Sequence, residues 1–303
     1  MYSRAHLTDL LAAVRSPSIV GIGDDVLDCY LDEDLAYPGG NALNVAVYSR
    51  LFFEAKAAFV GIVGNDRFAN HLLGVLDETG VEHSRVRHAV GPNGMAFVSL
   101  ADDGDRQFVG SNYGGVQYEL RLRVTPHDLD YLEQYDRVHT SVYSAIETEL
   151  PALTERGVRV SFDFSDDAPA SLIERVAPGV EVGFFSGGAL TDPEVDALGA
   201  FALSCGIGVA VVTLGSRGAR AFSAGESAVT GILPVDAVDA LGAGDAFITG
   251  FLAARAEGRD VQGCLSVASA AGALACTYRG AFGYPVEAGD DARAQLIRRY
   301  APA

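Results

Sequence analysis

Short apolar runs bounded by glycine alternate with stretches of helical period along most of this chain. Residues 18–23, Ser-Ile-Val-Gly-Ile-Gly, predict a first buried strand that ends in the acidic positions Asp24, Asp25 and Asp28. A polar stretch runs on to Pro38. Gly39-Gly40-Asn41-Ala42-Leu43-Asn44-Val45-Ala46-Val47-Tyr48 then predicts a glycine turn opening a helix. Residues 58–64 predict a second strand, and 68–79 a helix stopped by Gly80. The alternation resumes at 137–140, 158–164, 182–185 and 209–214, followed by a strand pair within 219–235 and an Ala-rich helix over 262–278. Such alternation predicts a mostly parallel sheet with helices on both faces.

Residues 84–118 break the rhythm. Met95 to Leu100, an Asp-Gly turn and Arg106 to Val109 read as a hairpin, and a hairpin set into an α/β chain is a candidate lid. The expectation is one domain over 1–303, with lid segments at about 29–38 and 85–118. Residues 1–17 carry Arg4, Asp9 and Arg15, too much charge for a signal peptide, and read as a short amphipathic helix.

Composition narrows the partners. Apolar residues make up 49% and charged residues 20% of the 303, and the net charge is −18 with a pI near 4.6. That balance argues against nucleic acid or an anionic membrane. No apolar run reaches a membrane span. Cys29, Cys205, Cys264 and Cys276 are scattered without ligand spacing, which fits buried thiols in a reducing cytoplasm.

The densest chemistry lies in residues 239–250, Asp-Ala-Leu-Gly-Ala-Gly-Asp-Ala-Phe-Ile-Thr-Gly. Gly242, Ala243 and Gly244 let backbone N–H groups converge on an anion at a helix N-terminus, with Asp245 in the first turn as a cap or a base. Gly21-Ile22-Gly23 lacks a third glycine and is followed by two acids, so it does not suit a dinucleotide pyrophosphate, and there is no P-loop. The strand-end acids Asp24 and Asp28 suit sugar hydroxyls, as do the amides of Asn41 and Asn44 beside Gly40; capping is the alternative for each. Thr213-Leu214-Gly215-Ser216-Arg217-Gly218 is a strand entering a glycine turn whose hydroxyl and guanidinium suit nucleotide phosphates, with a plain turn as the alternative. The six histidines are dispersed and carry no assigned chemistry.

In this order the pieces resemble the ribokinase-like, or PfkB, carbohydrate kinases from about Ser18 to about Gly283. The likeness rests on Gly39 to Asn44 and on Asp239 to Asp245, with 213–218 between them. Within the family the chain is most similar to fructoselysine 6-kinases, on residues 39–48, Phe162 to Asp166, and Asp105-Arg106. The resemblance implies a three-layer α/β/α fold with a small β lid, and Mg-ATP-dependent phosphorylation of a primary sugar hydroxyl, with a fructosamine or related ketose expected. A nucleoside kinase of the same fold and a non-catalytic sugar or nucleotide sensor are the alternatives.

The resemblance also assigns residues. Asp245 becomes the base and Gly242, Ala243 and Gly244 the anion hole. Asp28, Gly40, Asn41, Asn44, Asp24 and Arg106 meet the sugar. Thr213, Gly215, Ser216, Arg217, Gly218, Gly244 and Ser269 meet ATP. Asp239, Leu241, Ala275, Tyr278 and Gly280 fall at a monovalent-cation site, K+ in many members. It implies a homodimer through the lid. Ala240 replaces the usual Thr of the signature, and the Asn-x-x-Glu pattern that supports Mg2+ is absent after residue 185, where Ser186-Gly187-Gly188-Ala189-Leu190 stands.

Overall fold

A computed structural model describes residues 1–15, 17–100, 106–166 and 168–298. The turn of the predicted hairpin, including Asp105, and the side chain of Arg106 lie outside the described residues. In chain order the first elements are α1 (Arg4–Ala12), β1 (Ile19–Gly23), β2 (Val26–Tyr30), β3 (Leu35–Gly39), α2 (Asn41–Phe53), β4 (Ala57–Val63) and α3 (Arg67–Thr79). Then come β5 (Arg87–His88), β6 (Gly94–Leu100), β7 (Arg106–Ser111), α4 (Gly115–Leu120), α5 (Pro126–Leu132), β8 (Arg137–Ser141), α6 (Leu150–Glu155) and β9 (Val160–Asp163). The rest is α7 (Ala170–Val176), β10 (Val180–Ser186), α8 (Asp192–Ser204), β11 (Val209–Thr213), β12 (Ala219–Ser223), β13 (Glu226–Thr230), α9 (Ala243–Ala256), α10 (Val261–Ala275), β14 (Val286–Glu287), α11 (Gly289–Arg293) and β15 (Ile297–Arg298).

The main sheet has nine strands in the order β13-β12-β11-β10-β9-β8-β1-β4-β5. It is parallel from β11 to β5, and β12 and β13 extend it antiparallel. Alternate residues of each strand enter opposite cores. Phe59, Val182, Phe184, Val209 and Val211 pack with α2, α9 and α10, whereas Val60, Ile62, Phe185, Ala210 and Val212 pack with residues of α6 to α8. Strands buried on both faces read as continuous apolar runs, which is why 58–63 and 209–212 were legible in sequence. The fold is the expected three-layer α/β/α arrangement. No helix among the described residues is long and apolar enough to cross a membrane.

The lid is a second sheet of six strands, β14-β3-β2-β6-β7-β15. The polar stretch after Gly23 in fact supplies two of them. In β2, Leu27 and Cys29 alternate with Asp28 and Tyr30 and all four are buried, so the strand shows no polar face, and Asp28 interrupts its apolar run. Of the segment 85–118, only β6 and β7 join the lid. β5 pairs instead with β4 of the main sheet, and α4 packs on β4 and β6.

Candidate active site

Strand ends bring the chemistry together. Asp24 follows β1, Ser141 ends β8 and Asp163 ends β9, so all three lie at the carboxyl edge of parallel strands, where open α/β sheets bind ligands. Gly40 opens α2 there with φ +106°, where an added Cβ would stand 2.7 Å from the Asp24 carbonyl oxygen. Asp24 is buried and caps the helix: its carboxylate accepts from the backbone N–H groups of Asn41 at 2.6 Å and Ala42 at 3.4 Å, and from the hydroxyls of Ser141 at 2.9 Å and Ser144 at 2.7 Å. Both Asp24 oxygens are therefore engaged within the protein. Its neighbour Asp25 is buried with no hydrogen-bond partner among the described residues. Burial, then Asp24 and Asp66, push its carboxyl well above the ordinary value.

With its backbone held, α2 aims two amides at Asp245. Asn41 Nδ2 donates to Asp245 Oδ1 at 2.8 Å and to Asp163 Oδ2 at 3.0 Å, and Asn44 Nδ2 donates to Asp245 Oδ2 at 2.6 Å. The Asn44 oxygen is buried without a partner in the described residues and offers an acceptor beside Asp245. Asn41 is oriented from behind by His139, whose Nε2 lies 2.8 Å from Asn41 Oδ1 and whose Nδ1 lies 2.9 Å from Ser161 Oγ. Burial, then the Arg137 charge, pull His139 down to about 3. The ring is neutral, its Nε2 donates to the amide oxygen, and Nδ1 accepts from the Ser161 hydroxyl.

Asp245 stands in the first turn of α9. Burial pushes its carboxyl up to about 7; the Asn44 hydrogen bond opposes this, the Asp24 charge adds to it and the Asn41 hydrogen bond again opposes. Asp163 also rises to about 7, through burial against a backbone bond from Ser165, with the charges of Asp245, Asp24 and Asp166 adding. Such values suit a base acting near neutral pH, stronger than an ordinary aspartate.

The turn before Asp245 is the other predicted cradle. Gly242, with φ +72°, caps α9 without any side-chain hydrogen bond, and a Cβ there would lie 2.4 Å from the Tyr48 hydroxyl. Ala243 N–H is engaged within the turn: it bonds back to the Ala240 carbonyl at 3.2 Å. The N–H groups of Gly244 and Asp245 are the ones that helix geometry leaves for a ligand. A Cβ on Gly244 would meet nothing within 4 Å, so this face of the turn is open.

The remaining predicted positions divide. Asp28, on β2, turns its Oδ2 toward Gly39, at the mouth of the same turn. Thr213 to Gly218 do form a strand end and tight turn, and Gly187 N–H bonds the Thr213 carbonyl at 2.7 Å. The Arg217 guanidinium, however, is engaged with the Asp192 carboxylate and with the carbonyls of Gly187, Gly188 and Leu190. Ser269 lies against the end of β13, its hydroxyl 3.2 Å from the Gly231 carbonyl oxygen.

Of the five cation-site residues, Leu241 and Gly280 gather at the carboxylate of Asp239, which accepts from Leu241 N–H at 3.0 Å, Gly280 N–H at 3.0 Å and the Tyr30 hydroxyl at 2.6 Å, while Tyr278 N–H bonds the Ala275 carbonyl. The Arg279 guanidinium lies 4.0 Å away. A carboxylate so supplied by the chain's own donors does not fit as the ligand of a further cation.

The comparison with known sequences now has a geometry to meet. Residues 21–287 match the profile of the pfkB family carbohydrate kinases. The chain belongs to that family. It is 43% identical over 267 residues to the fructosamine kinase FrlD of Bacillus subtilis (strain 168), covering 88% of this chain and 93% of that one. It is 32% identical over 266 residues to the fructoselysine 6-kinase of Escherichia coli (strain K12), covering 88% and 99%. Its fold is similar to that of the Arabidopsis thaliana ribokinase solved with ribose and ATP, at a TM-score of 0.73 and 22% identity over 95% of this chain. In this pfkB kinase, sequence reasoning missed His139. β8 reads Arg-Val-His-Thr-Ser, so one more polar residue in it did not stand out, although all five positions are buried.

Proposed function

We propose that this pfkB kinase transfers the γ-phosphoryl group of ATP to a primary hydroxyl of a fructosamine. The observation that carries the reading is Asp245: a carboxylate raised to about 7, gripped by two amides, in the first turn of an uncapped helix. The sugar hydroxyl would displace one of these amide contacts and give its proton to Asp245 as the O–P bond forms. Gly244 and Asp245 N–H groups, with the α9 dipole, face the charge on the transferred group. Asp28, Asn41 and Asn44 would orient the sugar, and Thr213 to Gly218 with Ser269 would line the nucleotide end.

Mg2+ bound on the ATP phosphates supplies charge neutralisation, a role that usually needs only one or two protein carboxylates. No three-residue cluster of His, Cys, Asp or Glu with metal-site geometry occurs among the described residues, and with Asp245 kept as the base, Asp163 is the neighbouring carboxylate that would face such a cation. The choice of a fructosamine rests on the two relatives named for fructosamine and fructoselysine. It also rests on the acidity of the sugar end, where Asp24, Asp163, Asp166 and Asp245 act on one another. A substrate carrying a protonated amine relieves that repulsion, and a neutral ketose does not.

The test is an ADP-release assay coupled to a panel of fructosamines, free ketoses and nucleosides. The fructosamines should give the highest kcat/KM. A folded protein that turns over none of the panel would falsify the kinase reading, and a preference for free fructose would remove the fructosamine assignment alone.

A further inference from the structure

One cluster belongs to neither substrate. Asp28 and Tyr30 stand two residues apart on one face of β2. The Tyr30 side chain is buried, and its hydroxyl donates to Asp239 Oδ2 at 2.6 Å. Asp239 begins the turn that leads to Gly244 and Asp245. Its backbone N–H is fastened to the Cys276 carbonyl at the end of α10, and its carboxylate orders Leu241 and Gly280. Arg279 lies with its guanidinium 4.9 Å from the Tyr30 ring centre. It reaches Asp239 on one side and pairs with Glu33, in the turn between β2 and β3, on the other. The contact is sealed by apolar groups: Tyr30, Tyr37 and Val98 of three lid strands pack together with Leu35 and with Leu241 of the turn.

From this arrangement we infer that Tyr30 is a positioning residue that ties the sugar-binding strand of the lid to the turn that holds the phosphate. The inference rests on the kinase reading above and adds a coupling to it. Three donors and one nearby cation fix Asp239, and two of the four, Tyr30 and the Glu33-held Arg279, depend on the lid being down. A hydrogen bond to a buried carboxylate is among the stronger ones. Lifting the lid strand therefore loosens the phosphate turn, and seating a sugar against Asp28 tightens it. ATP meets an ordered cradle only when the acceptor strand is in place, which suppresses hydrolysis by water.

Tyr30→Phe removes the hydroxyl and keeps the ring. The expected result is a fall in kcat of about tenfold with a smaller change in sugar KM. ATP hydrolysis without sugar should rise as a fraction of kinase turnover. A purely structural role would lower the melting temperature and scale both activities together, leaving that fraction unchanged, and this outcome overturns the inference. Arg279→Gln, at a half-buried position, should move the fraction in the same direction by less, and it serves if Tyr30→Phe does not fold. Amide hydrogen exchange over 239–245 in the full chain reads the tie without turnover. Faster exchange in either variant than in wild type supports it, and equal exchange overturns it even where the wild type phosphorylates nothing.

Discussion

Two glycine turns open two helices in this protein, and they end differently. At α2, Gly40 is followed by N–H groups that the protein satisfies itself, through the Asp24 carboxylate. At α9, Gly242 is followed by a first turn with no side-chain cap at all. The closed turn spends its backbone on stability and projects its side chains, Asn41 and Asn44. The open turn leaves its first N–H groups without a side-chain acceptor among the described residues and is steadied by those same side chains. Neither sequence, Gly-Gly-Asn nor Gly-Ala-Gly-Asp, states which kind it is. What separates them is the Asp24 carboxylate, which accepts from the first N–H groups of α2, while no carboxylate does so at α9 among the described residues.

The contrast breaks most sharply at Asp245. Asp245→Asn should lower kcat by about a thousandfold while ATP still binds, since only the proton acceptor is lost. Calorimetric ATP titration beside the coupled assay separates the two. Asp24→Asn attacks the closed turn and should cost roughly 2 kcal/mol of folding stability, read by urea unfolding, because four donors lose a charged acceptor. If its stability matches wild type while activity falls, the closed turn is a substrate site and the comparison fails.

The pH dependence follows from the raised carboxyls. Asp245 must be ionised to act, so kcat/KM should rise with pH and level off above about 7. Stability should run the opposite way. Between the ordinary value of 3.8 and the folded value of about 7 the native state binds the extra proton, so Asp245 stabilises at low pH and this contribution disappears as pH rises through about 7. Thermal melts of wild type against Asp245→Asn from pH 5 to 8 measure that slope, and parallel curves would contradict the raised value.

Gly244→Ala should have the smallest effect on the fold and a clear one on function. Its methyl meets no protein atom and favours helix, so stability should stay within about 1 kcal/mol of wild type or improve. The same methyl intrudes on the open face, and kcat/KM for ATP should fall about tenfold. An unchanged ATP kinetics would place the phosphate elsewhere.

The fold was largely legible because strands buried on both faces leave continuous apolar runs, and caps such as Gly80 mark their helices. The lid was legible only in part. β2 is buried on both faces with Asp28 at its middle, so it shows neither an alternation nor an unbroken apolar run, and β14 and β15 are two residues each, too short to leave any pattern. At the site, residue types were readable but their settings were not. That Asp245 is a stronger base than an ordinary aspartate depends on burial, and the two amides that hold it and temper that rise stand 201 and 204 positions away; His139 gave no spacing to find. Arg217 shows the reverse: its type suggested phosphate, and its geometry gives it to the loop after β10.

The lid sheet is bounded by β14 and β15, the last of the described strands in chain order, while β2 and β3, which pair between them, are among the first. Synthesis runs from the N-terminus, so the first elements must wait, unpaired along one edge, for nearly the whole chain. Asn41 and Asn44 likewise wait for Asp245. The ATP-handling cleft is thus one of the final parts to be finished, and a truncated or stalled chain carries no working half of it.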